Sequence, residues 1–301
     1  MNQNYKSIHK GFVIWLDTLG FADGTVYGCK NLAATFFEWL ESNNIYHIAQ
    51  LTGQHITKYF EHLQTRPNKV WKGGLSVAHL NDSFFAIDKL LEFLHQIGMD
   101  GAPLPTGFRL HVDKQERINN IEPFTQQEIK ELQTHITDTY PHLNFIEREL
   151  KQEQLKLIFV LYYGCGLRRI EGYNLRVSDI DFDNKTIFVR QGKNYKDRIV
   201  PMNNGVYKAL QDYIYNFRNL QRVKHKRLFI HTTGTLHKSL KHLQAACNSE
   251  TIKNKRLSLH ILRHSIATHL LQNGMSIENI SRFLGHSSLD STQIYTHIVN
   301  K

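Results

Sequence analysis

Apolar residues recur at helical spacing through much of the first hundred positions. Leu32, Phe36, Phe37, Trp39 and Leu40 repeat every three or four residues, as do Ile56, Tyr59, Phe60 and Leu63, and then Leu80, Phe84, Ile87, Leu90, Leu91 and Leu94. Each set lines one face of a helix, and Gly98 follows the last as a C-terminal stop. Residues 1–110 therefore read as a small helical bundle. Gly101, Pro103, Pro105 and Gly107, with the polar run from Asp113 to Arg117, break the period and mark a linker over 111–122. A second domain, 123–301, opens with Thr125-Gln126-Gln127-Glu128, in which the hydroxyl and the carboxylate satisfy each other's free backbone N–H groups at a helix start.

Within that second domain Leu155 to Tyr163 is an apolar helical run. The period then changes to two: Thr186–Arg190 and Arg198–Val200 predict a β-hairpin with its turn between Gly192 and Lys196. Helical spacing resumes from Tyr207. Leu259, Leu262, Ile266 and Leu270 form a further helix ended by Gly274, and a short helix through Ile277, Ile280 and Phe283 is closed by Gly285-His286. The expected fold class is mainly α with a small antiparallel β-sheet.

Lys and Arg exceed Asp and Glu to give a net charge of +10, with pI near 9.4, so the favoured partner is a polyanion, nucleic acid ahead of a membrane surface. A solvated basic surface is the plain alternative. The three cysteines, Cys29, Cys165 and Cys247, lie far apart, which argues for neither a disulfide framework nor a cysteine zinc site and fits a reducing interior. No stretch reaches the ~18 apolar residues of a spanning helix, and no basic segment with a long apolar run opens the chain, so neither membrane insertion nor export is expected.

The chemistry concentrates between Leu259 and Ile298. His260 and Arg263 lie three apart and share a helix face, and Tyr295 follows His286. Breaking a phosphodiester without a metal requires a nucleophile, fixed cations for the charge on the non-bridging oxygens, and an acid for the departing sugar oxygen. Arginine suits the second task because its fork matches two phosphate oxygens and stays charged. Arg168 and Arg263, from separate segments, can grip one phosphate from two sides. Tyrosine can attack, but with a pKa of ~10 it needs a positive pocket or a base. Taken singly, each residue has a bland reading: a surface arginine, a polar helix face, a core aromatic or a solvated lysine.

Taken together, Gly166-Leu167-Arg168 with Glu171, Gly192-Lys193 with Arg198-Ile199-Val200-Pro201, His260-Ile261-Leu262-Arg263-His264, Leu284-Gly285-His286 and Ile294-Tyr295-Thr296-His297 resemble, in order and spacing, the signature of the tyrosine recombinases of the phage integrase family, specifically their two-domain Xer-like members. The resemblance covers the second domain closely, and the first more loosely as a SAM-like core-binding domain. It implies that Arg168 and Arg263 hold the scissile phosphate, that His260 and His286 complete its cradle, and that Lys193 protonates the leaving 5′ oxygen, with Lys196 as its competitor in the same turn. Tyr295 would then form a 3′-phosphotyrosyl link that a 5′-hydroxyl from another strand reverses. The resemblance further implies double-stranded DNA as partner, a homotetramer on paired sites, strand exchange through a four-way junction, no cofactor, and a cytoplasmic, nucleoid-associated prokaryotic setting. Glu171 is expected to orient a nearby cation, and His264 and His297 to play supporting roles. Lys224, His225, Lys226 and Arg227, with Lys253, Lys255 and Arg256, are expected to touch DNA phosphates.

A zinc site on His260, His264 and His269 is disfavoured because Ile261 stands where a zincin helix has its glutamate. Only six residues, Thr296 to Lys301, follow Tyr295, fewer than in relatives that dock a further helix on a neighbouring subunit. Two other functions share these features: a type IB-like topoisomerase, which also uses a phosphotyrosine, and an architectural DNA-binding protein on an inactivated scaffold.

Overall fold

The three periodic segments of the first hundred residues become three of four helices in the computed structural model, which describes residues 1–68, 73–112, 121–190, 197–221 and 223–285. The four are α1 (Gln3–Thr18), α2 (Asp23–Ser42), α3 (Gly53–Thr65) and α4 (Val77–Gln96). Helix α1 and the first turns of α2 were not anticipated. In α1 the buried Tyr5, Phe12 and Leu16, with Ile8 and Trp15 packed beside them, keep a three- and four-residue spacing, a face present in the sequence that the polar residues between them obscure. These helices enclose an aromatic-rich core in which Tyr5 stacks on Phe37 at 4.7 Å and Phe60 meets Phe84 at 4.2 Å. Buried Asp88 of α4 accepts from the backbone of Thr106 and from Arg109, so the chain leaving the bundle is tied back onto it.

The chain divides into two compact units, Met1–Asp113 and Lys114–Lys301. Most of the linker expected over 111–122 falls on residues 113–120, outside the described residues. The first described helix of the second unit is α5 (Gln126–Thr134), where the hydroxyl of Thr125 accepts from the Glu128 amide and the Glu128 carboxylate accepts from the Thr125 amide at 2.7 Å, the reciprocal cap expected there. Helix α6 (Phe145–Ile158) runs on into a π-helical turn, Phe159–Gly164. That wider turn holds the second half of the apolar run and delivers the chain into Cys165-Gly166-Leu167-Arg168, with Gly166 in the left-handed region (φ 58°). Helix α7 (Arg169–Asn174) follows.

The sheet is antiparallel in the order β1 (Ile180–Asp181), β2 (Thr186–Val189), β3 (Arg198–Pro201). Strand β1, two residues long, is too short to leave a period in the sequence. Ile187 pairs with Val200 on the buried face, and Phe188 with Ile199 on the other. The turn of this hairpin, residues 191–196, lies outside the described residues, and Lys193 and Lys196 with it. Beyond the sheet come α8 (Asn204–Asp212), α9 (Thr233–Ala246), α10 (Glu250–Asn254), α11 (Leu259–Gln272) and α12 (Ile277–Leu284). Helix α11 packs against the π-helical turn and α12. It is buried on most sides: Arg263, Ser265, Thr268 and His269 are as sheltered as Leu259 and Leu262. Among the described residues no helix is long and apolar enough to cross a membrane.

Candidate active site

Three arginines from three segments meet at one carboxylate. Arg168 ends the Gly166-Leu167-Arg168 turn at the start of α7, Arg198 begins β3, and Arg263 lies in the second turn of α11. Glu171, in the first turn of α7, is their common partner. Its Oε1 accepts from Nη1 of Arg168 and Nη1 of Arg198, each at 2.7 Å, and its Oε2 accepts from the Arg168 amide at 2.7 Å and from Nη2 of Arg198 at 2.8 Å. Nη1 of Arg263 lies 3.9 Å from Oε2. Burial alone would push the Glu171 carboxyl up, but the hydrogen bonds and charge of Arg198, followed by those of Arg168, outweigh it and hold the pKa at about 2. The expected role of Glu171 as a partner that orients cations matches this placement.

The same arginines clip the end of α12 to the turn before α7. Arg263, 4% exposed, donates to the carbonyl of Gly166 and to that of Leu284 at 2.8 Å, while Nη2 of Arg168 donates to the carbonyl of Gly285 at 2.6 Å. Helices leave their last carbonyls without internal partners, and here two guanidiniums take them. Gly285 caps α12 in the left-handed region (φ 66°), and a Cβ there would lie 2.6 Å from Cδ of Arg198. Only glycine meets both conditions. The next residue, His286, lies outside the described residues, as do Tyr295 and the rest of 286–301.

His260 and Arg263 share α11, as their spacing predicts, but the helix gives them different surroundings: His260 is exposed and Arg263 is buried. The His260 imidazole titrates below its ordinary value because of desolvation first, and then the charges of Arg169, Arg263, His237 and Arg168. It is therefore neutral near pH 7. His237 of α9 and Arg169, which no motif in the sequence singles out, are both electrostatic neighbours of His260.

Of the predicted site residues, then, Arg168, His260 and Arg263 come together, while Lys193, His286 and Tyr295 fall outside the described residues. Arg198 was visible in the sequence as part of Arg198-Ile199-Val200-Pro201 but carried no role. The basic run expected to contact phosphates is divided in the structure. Lys224, Lys226 and Arg256 are exposed, whereas Arg227 stacks its guanidinium on Tyr173 at 4.7 Å and Lys255 pairs with Glu128 at 2.9 Å. Nδ1 of His269 is hydrogen-bonded to the Tyr163 hydroxyl at 2.9 Å, so His269 braces α11 against the π-helical turn. Among the described residues no cluster of His, Cys, Asp or Glu has the makings of a metal site.

Residues 124–301 match the sequence profile of the phage integrase family. The chain is 31% identical to the tyrosine recombinase XerC of Oceanobacillus iheyensis over 283 residues, which cover 91% of this chain and 85% of that protein. It is 38% identical to the tyrosine recombinase XerA of Thermococcus onnurineus over 151 residues, 48% of this chain and 50% of that one. Among solved structures its fold is similar to the XerH site-specific recombinase bound to difH substrate in a pre-cleavage complex, with a TM-score of 0.66, 17% identity, and coverage of 99% of this chain and 95% of that one. It is also similar to the Tn1549 transposon integrase in complex with transposon right end DNA, with a TM-score of 0.62, 18% identity, and coverage of 96% and 94%.

Proposed function

Because the chain belongs to the phage integrase family, we propose that it is a tyrosine-type site-specific DNA recombinase whose phosphate cradle is built on Arg168, His260 and Arg263. The observation that carries this reading is the convergence of three guanidiniums on a single buried carboxylate, which leaves the site with an excess of fixed positive charge. Such charge stabilises the extra negative charge on the non-bridging oxygens as a phosphodiester is attacked, and it is already in place before the reaction begins. Arg168 and Arg263 supply forked donors. His260, neutral at working pH, adds a hydrogen bond without adding repulsion between cations.

In this reading the phenol oxygen of Tyr295 attacks phosphorus and its proton leaves to a nearby acceptor, while Lys193 of the hairpin turn gives a proton to the departing 5′ oxygen. His286, next to the capping Gly285, completes the cradle. The 3′-phosphotyrosyl bond keeps the energy of the broken linkage, so a 5′-hydroxyl from a second duplex reverses the step, and two such exchanges pass through a four-way junction. The substrate is double-stranded DNA held on paired sites by four copies of the chain. Residues 1–110 form a helical second arm on the duplex, 111–122 a connection, and 123–301 the catalytic domain. The protein works in the cytoplasm on the nucleoid and uses no cofactor.

The test begins with duplexes selected by the protein itself from random-sequence DNA. Two such duplexes of different length, incubated with the protein in a chelating buffer, should yield recombinant strands of intermediate length. Relaxation of a supercoiled plasmid without any exchange between paired sites would instead indicate a topoisomerase.

A further inference from the structure

We propose that Arg198 is a positioning residue of the phosphate cradle, holding Glu171 from outside α7 so that this carboxylate aims Arg168 and backs Arg263. The inference rests on the recombinase reading above and adds to it a residue with no assigned role.

Glu171 and Arg168 belong to the same helix start, so their mutual contact fixes neither against the rest of the unit. Arg198 comes from β3 and grips both carboxylate oxygens at 2.7 and 2.8 Å in a two-pronged pairing, the geometry in which a guanidinium constrains a carboxylate most strongly. That pairing leaves Oε1 shared with Nη1 of Arg168 at 2.7 Å. Rotating the carboxylate to break one bond breaks the other. Both Nη groups of Arg198 are engaged on Glu171, so its influence on a bound phosphate passes through that carboxylate.

Two further observations set Arg198 apart from an ordinary surface ion pair. Its side chain is 12% exposed and lies against Gly285, whose missing side chain makes the room. Its Nε is buried with no hydrogen-bond partner among the described residues. A lysine in the same place would keep the charge but lose the fork that grips both carboxylate oxygens.

The test uses the full chain as wild type, Arg198→Gln, Arg168→Ala, Glu171→Gln and the Arg198→Gln/Glu171→Gln pair. The probe is a nicked duplex of the selected sequence, in two forms: an ordinary phosphodiester at the cleaved step, and a methylphosphonate there, which lacks the negative charge that the arginines meet. The initial rate of covalent protein–DNA adduct formation is read on denaturing gels, and affinity by gel shift. Arg198→Gln should slow adduct formation on the phosphodiester by about ten- to a hundredfold with affinity unchanged, the scale of a misaimed catalytic group. On the methylphosphonate its deficit relative to wild type should shrink to within about threefold, as for Arg168→Ala, because a misaimed cation matters less at a neutral centre. The double variant should be no slower than Glu171→Gln alone, as for two residues in one chain of action.

Equal deficits on both probes, additive losses in the double variant, or wild-type rates in Arg198→Gln would each overturn the assignment. If Arg198→Gln does not fold, Arg198→Lys, which keeps the charge and loses the fork, takes its place under the same criteria. A wild-type protein that forms no adduct on either probe refutes the recombinase reading itself and is thereby distinguished from failure of the Arg198 assignment.

Discussion

Replacing Glu171 by Gln removes the charge of a carboxylate shared by three guanidiniums while preserving shape. In the folded chain the carboxyl titrates at about 2, against an ordinary value of 4.5, and it is buried, so the shift translates into stability with little screening. At about 1.4 kcal/mol per pH unit, the carboxylate contributes roughly 3 kcal/mol to the second unit at neutral pH. The folded pKa lies below the unfolded one, so this contribution is complete above about pH 4.5 and is lost as the pH falls toward 2. Urea unfolding followed by tryptophan fluorescence would miss the effect, because Trp15, Trp39 and Trp71 all lie in the first unit. Hydrogen exchange read on peptides covering 166–175 and 259–272 reports the right region. The expected result is a loss of protection in Glu171→Gln worth about 3 kcal/mol at neutral pH, shrinking to less than half of that by about pH 3. Protection equal to wild type at pH 7, or a difference independent of pH, would mean that the Glu171 carboxylate does not stabilise this region.

Other expectations follow from the same contacts. Arg263→Ala should slow adduct formation by roughly two to three orders of magnitude. Because it leaves the Gly166 and Leu284 carbonyls without their donor, it should also lower the thermal midpoint, which a catalytic loss alone would leave unchanged. Gly285→Ala should destabilise the second unit by more than Gly274→Ala: both have positive φ, but at 274 the added methyl enters open space, whereas at 285 it meets Arg198. The two thermal midpoints decide this directly. The His260 ring, followed by NMR, should titrate below 6.5 in the free protein and shift upward when DNA brings phosphate to the site. Since its folded pKa lies below the unfolded one, His260 makes stability fall as the pH drops below about 6.5, and His260→Gln should flatten that part of the stability profile.

How far the structure was legible in the sequence depended on the range of each interaction. The cap at Thr125 and Glu128 involves residues three apart and was read directly, as was the pairing of Thr186–Val189 with Arg198–Pro201, whose alternation shows in the residues. Gly285 announced the end of α12 for a similar local reason. The burial of Arg263 was not legible. Its spacing from His260 implied a shared polar face, and nothing in α11 itself reveals that α12 and the π-helical turn cover that face. The bond between Arg198 and Glu171 was equally hidden, because it joins a strand to a helix 27 positions away and no periodicity encodes which carboxylate a guanidinium will meet. Helix α1 was in principle legible, since Tyr5, Ile8, Phe12, Trp15 and Leu16 keep helical spacing along it.

Covalent joining of Tyr295 to DNA at the arginine-lined cradle is read by mass spectrometry of the protein after reaction with a nicked duplex of the selected sequence and digestion of both partners. A nucleotide adduct is expected on the peptide containing Tyr295, retained in denaturant and absent from Tyr295→Phe, a variant that still binds the duplex. An adduct on a different residue, or cleavage that persists in Tyr295→Phe, would rule out Tyr295 as the nucleophile.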